Sequence, residues 1–76
     1  MNKDRRKTLE QLQEQLQEIQ SSLEEVMEEE QEAFDNLPES FQNGERGEIM
    51  TAAIDNMQEA LDSIESAIDS VSSASE

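Results

Sequence analysis

The chain has 76 residues, 20 acidic and 5 basic, for a formal net charge of −15, with no histidine, cysteine, tryptophan or tyrosine. These absences exclude disulfides, thiolate nucleophiles, zinc fingers and Ser/His/Asp or Cys/His catalytic groups. Leu, Ile, Val and Phe number only 15, about 20% of the chain, which with this charge borders on the composition of disordered proteins.

The charge is unevenly distributed. Residues 1–7 carry four basic groups and one acidic group, whereas Arg46 is the one base among the acids that follow. This short basic arm has no aromatic neighbour for base stacking, so pairing with the chain's own acids is its expected role. The acidic remainder argues against binding nucleic acid or anionic lipid directly, since both are polyanions.

The first long element is predicted over about 4–36, from apolar residues that step by three and four. Leu9, Leu12, Leu16, Ile19, Leu23 and Val26 fall at positions a and d of a heptad, with Met27 and Phe34 widening the stripe. Glu30 lands on the same seam. Thr8 with Gln11 has capping-box spacing, although Asn2 or Asp4 could open the helix earlier. Ser21 and Ser22 do not interrupt the phase, so one continuous helix is expected.

A reversal is predicted over about 37–44, where Pro38 removes an amide donor and Asn43-Gly44 is a turn dipeptide. Asn43 is the expected cap of the next helix, with Glu45 and Glu48 in its first turn. Leu37, Pro38, Glu39, Phe41 and Arg46 combine unusual residue types with expected exposure and form a candidate partner-binding turn.

The second long element is predicted over about 45–72, followed by a frayed tail at 73–76. Ala53-Ile54-Asp55, Ala60-Leu61-Asp62 and Ala67-Ile68-Asp69 recur every seven residues. The alanines flank the apolar stripe and let another helix approach closely. Pairing residues whose numbers sum to about 81, as an antiparallel hairpin of two such helices does, sets Phe34 opposite Gly47 and explains that glycine as room for the ring.

The expected fold is therefore all-α: an antiparallel, coiled-coil-like two-helix hairpin in a single domain. A lone hairpin leaves part of its apolar stripe wet, which favours self-association into a four-helix bundle. The candidate self-association seam is Leu16, Leu23, Met27, Phe34, Ile54, Leu61 and Ile68.

The acid-rich run from Glu24 to Glu32 has neither the Glu-x-x-His of a di-iron bundle nor the glycine of a calcium loop, so no metal or other cofactor is expected. Paired carboxylates catalyse only in a partly desolvated pocket, which a thin hairpin lacks, and no catalytic residue is assigned. Asp55, Glu59, Asp62, Glu65 and Asp69 form a candidate acidic face whose charge spacing is comparable to that of duplex phosphates.

The block EEEQEAFDNLPESFQNGERGEIM followed by AIDNMQEALDSIESAID, within about 24–70, resembles small acidic proteins of bacteriophage and prophage genomes. Asp35 to Ser40 and Glu45 to Glu48 are its most specific elements. The resemblance implies a cytoplasmic, virus-associated hairpin, in the host cytoplasm if phage-encoded, and offers no catalytic residue. The expected function is a non-enzymatic module that binds and modulates a host or viral protein, with a basic or nucleic-acid-binding surface as the expected partner and no membrane. The alternatives are an acidic nucleic-acid mimic that inhibits a host DNA- or RNA-binding defence enzyme, and a virion structural or assembly subunit.

Overall fold

The computed structural model describes all 76 residues and is entirely helical outside short connections. Helix α1 spans Lys3–Asp35, α2 spans Glu39–Gln42 and α3 spans Glu45–Ala74. The longest dimension is 58 Å, close to the ~50 Å of α1 alone at 1.5 Å per residue. Helices α1 and α3 pack against each other.

Asn2 opens α1: its side-chain oxygen accepts from the Arg5 amide at 2.8 Å, which satisfies one of the free donors of the first turn. Thr8 lies inside the helix, where its hydroxyl donates to the Asp4 carbonyl at 3.0 Å, so the Thr8–Gln11 spacing marks no start. The helix continues through Ser21 and Ser22 and ends at Asn36. At the basic arm, the Arg6 guanidinium donates to the Met1 carbonyl at 3.5 Å.

The reversal holds a short helix that the residue pattern did not predict. The Pro38 carbonyl accepts from the amides of Phe41 at 2.9 Å and Gln42 at 3.0 Å, building the single turn of α2. Asn43 closes α2 and does not cap α3; Gly44 takes that position in extended backbone, without a side-chain bond. The Gln42 side-chain amide donates to the carbonyls of Phe34 at 3.0 Å and Asp35 at 3.4 Å. It thus adds a second donor to the Phe34 carbonyl, which also accepts from the Leu37 amide at 3.0 Å, and reaches the Asp35 carbonyl at the helix end.

Gly47 is buried, and the backbone beside it leaves no room for a side chain. A Cβ built on it would lie 2.0 Å from the Gln42 carbonyl oxygen and 2.8 Å from the Gln42 Cα. The glycine lets α3 pass the backbone of α2, whose Gln42 supplies the three atoms nearest to such a Cβ. Gln42 is thereby the corner of the molecule, bonded to α1 through its side chain and packed against α3 through its backbone.

The residues shielded from water define the register. On α1 they are two columns, Leu9, Leu16, Leu23, Glu30 and Leu37 at one heptad position and Gln13, Gln20, Met27 and Phe34 at the other. On α3 they are Gly47, Ile54, Leu61 and Ile68 alternating with Met50, Met57, Ile64 and Val71, with Ala53, Ala67 and Ser72 partly covered at the flanks. Leu61, at 6% exposure, is the one apolar side chain fully buried.

This seam differs from the expected one by one column on α1. Leu12, Ile19 and Val26, expected on the seam, are 44%, 54% and 51% exposed, while the glutamines Gln13 and Gln20 take the covered places. The physical reason lies near the turn. Met27 and Phe34 are the bulkiest apolar groups in the last turns of α1, and covering them rotates α1 so that their column faces α3. Further along, the glutamines follow at the heptad step, and their methylene stems can lie in the seam while the amides reach water.

Candidate functional site

With the covered columns taken as a and d, the remaining residues divide between two sides. In an antiparallel helix pair, e positions flank e positions and g positions flank g positions, so each side of the pair is built from matching columns of both helices. The e and b columns of α1 hold Glu10, Glu14, Glu24, Glu28 and Asp35, with Lys3 and Lys7 at the basic arm; those of α3 hold Glu48, Asp55, Asp62, Glu65 and Asp69. All of these are exposed. One side of the molecule therefore carries acids from both long helices.

The candidate acidic residues sit here or at its edge. Asp55, Asp62 and Asp69 form one column, spaced ~10.5 Å along the axis by their seven-residue step. Glu65 stands in the adjoining column and Glu59 on the outermost one, both exposed. Gln58 donates its side-chain amide to Asp62 Oδ1 at 3.1 Å, holding that carboxylate along the helix surface. No three acidic side chains converge closely enough to hold a metal ion.

The candidate turn residues are not gathered equally. Pro38, Glu39 and Phe41 are exposed around α2, with Phe41 at 50%, whereas Leu37 is partly covered and closes the end of the seam. Arg46 is exposed in the first turn of α3, in the same column as Ala53.

The candidate self-association seam has a different placement. Leu16, Leu23, Met27, Phe34, Ile54, Leu61 and Ile68 all fall in the columns that one chain already covers between α1 and α3. The side opposite the acids is the surface that the residue pattern did not single out. Its g columns are Leu12, Ile19, Val26 and Ala33 on α1, and Ala53, Ala60, Ala67 and Ala74 on α3. Met27 and Phe34 next to Val26 and Ala33 were the available signal, because they make the apolar arc of α1 wider than one neighbouring helix can cover.

No helix of the structure is long and apolar enough to cross a membrane. Compared with protein-family models, curated proteins and solved structures, the chain matches none.

Proposed function

We propose that the chain is an antiparallel helical hairpin, self-associating into a four-helix bundle, that acts as a non-enzymatic interaction module and receives a basic surface of another protein on its acidic side. The observation that carries this reading is the segregation of charge. Glu10, Glu14, Glu24 and Glu28 of α1 share one side with Asp55, Asp62, Glu65 and Asp69 of α3, and these acids are exposed. A linear array of fixed carboxylates attracts a cationic groove at long range and sets its orientation. The phage-type resemblance of the turn supports a viral or host protein as the target.

The spacing of the Asp55, Asp62 and Asp69 column favours one specific form of this reading, occupation of a nucleic-acid-binding groove. Affinity capture from host lysate at low and high salt tests both. The captured partner should be lost as salt rises, and lost with the combined variant Asp55→Asn, Asp62→Asn, Asp69→Asn while helicity persists. Displacement by duplex DNA selects mimicry. A partner retained at high salt and by the neutralised variant would contradict the acidic side as the binding surface.

A further inference from the structure

The side of the molecule opposite the acids carries no charge along most of its length. From Thr8 to Val26 on α1 and from Ile49 to Ala74 on α3, the g and c columns comprise fourteen residues, none of them charged. Charged residues make up 33% of the chain, so this gap runs against its composition. Large apolar groups stand on α1, at Leu12, Ile19 and Val26, and alanines stand beside them on α3, at Ala53, Ala60 and Ala67. Two shallow grooves border this side, one lined by Ile19, Ser22, Leu23 and Val26 with Glu18 at its rim, and one lined by Met1, Arg5, Thr8 and Leu9 with Asp4 at its rim.

We infer that this uncharged side is the contact face of a homodimer, in which a second copy lies across it antiparallel, related by a twofold axis passing between Ile19 and its symmetry mate and near Ala60. This rests on the hairpin and self-association reading above, but not on the identity of any partner of the acidic side.

The residues are arranged symmetrically for such an axis. Ile19 is the midpoint of α1 and Ala60 lies at the middle of α3. Leu12 and Val26 stand one heptad either side of Ile19, as Ala53 and Ala67 do of Ala60. Turning a copy over about this axis sets Leu12 against Val26, Ile19 against Ile19, and the alanine column against itself. Alanine at every heptad lets the two α3 helices approach closely, while the branched side chains fill the wider gap between the two α1 helices. The contact is isologous and closes at two copies.

Charge selects this axis over one running along the rod. The long-axis alternative would bring together both turn ends, each rich in acids from Glu24 to Glu48. The antiparallel arrangement instead brings the basic arm of each copy to the turn end of the other. Arg5, in the same column as Leu12, reaches the level of Ala33 and comes within one helical turn of Glu29.

The exposed area is also in proportion. A compact monomer of 8.6 kDa exposes about 4,700 Å² by the usual size scaling. This narrow rod exposes 5639 Å², and the excess of about 900 Å² matches what one partner covers in an interface of standard size.

Sedimentation equilibrium together with cysteine cross-linking tests the inference, since the chain has no cysteine of its own. The unmodified chain should sediment with the mass of two copies. Ile19→Glu should weaken association by about a hundredfold, because it buries unpaired carboxylates at the axis, with helical circular dichroism retained. Under mild oxidation Ile19→Cys should link to itself, whereas Leu12→Cys should link to Val26→Cys but not to itself. Should Ile19→Glu unfold, the apolar-sized cysteine variants still decide. A single-chain mass at all concentrations, leaving the face to another protein, would overturn the inference. So would a mass other than two chains, a folded Ile19→Glu variant that dimerises undiminished, or Leu12→Cys linking to itself.

Discussion

Gly47 has no room for a side chain, because the atoms that a Cβ would meet are backbone atoms of Gln42 and cannot swing aside. Gly47→Ala is expected to cost about 3 kcal/mol, the upper end of overpacking because the neighbour cannot yield, read as a fall in the urea midpoint. Gly44→Ala is the control. Its Cβ would stand 3.3 Å from the Ser40 carbonyl oxygen, and its backbone is extended rather than left-handed, so a loss under ~1 kcal/mol is expected there. Gln42→Ala removes the side-chain amide that bonds the Phe34 and Asp35 carbonyls at the end of α1 and should cost about 1 kcal/mol. A Gly47→Ala variant as stable as Gly44→Ala would show that α2 does not pack where the geometry sets it.

At the scale of elements, the two long helices were legible in the sequence to within a few residues, because their three-four stepping extends over many heptads and is interrupted at Pro38. The register of α1 was not. Leu12, Ile19 and Val26 form as regular a column as Met27 and Phe34 do, and hydropathy alone prefers leucine and isoleucine to glutamine on a seam. What decides the rotation is the bulk of Met27 and Phe34 towards the turn, a tertiary effect that no local count registers. The same holds for α2, whose turn depends on the Pro38 carbonyl, and for Gly47, whose role required the path of the Gln42 backbone. The acidic candidates were legible as a column on α3. Their alignment with the acids of α1 follows only from the register.

That register makes a prediction of its own. Gln13 and Gln20 lie in covered columns, so Gln13→Leu and Gln20→Leu should each raise stability by about 1 kcal/mol through added apolar burial. Leu substitutions at the exposed Gln11 and Gln17 should change it little. Chemical denaturation of the four variants compares them directly. Equal effects at all four positions would restore the seam through Leu12 and Ile19.

At the scale of the whole molecule, one chain leaves most of its apolar side chains partly wet, and Leu61 alone is fully buried. The excess of acids is carried away from one long side and concentrated on the other. Salt should therefore act oppositely on the two proposed contacts. Screening relieves repulsion between two copies of charge −15, which tightens the dimer, and weakens attraction between the acidic side and a basic partner. Dimer dissociation constants at 50 mM and 500 mM salt should fall while those for a cationic peptide rise.

The separation of the two sides is the central claim, and one measurement reaches it most directly: sedimentation velocity of the chain with a fluorescent lysine-rich peptide, followed at the wavelength of the label. The peptide should sediment with a complex containing two copies of the chain, because the acidic side remains open when the uncharged side is covered. Labelled peptide travelling with a single chain, or dimer that excludes the peptide, would show that the two contacts compete for the same surface.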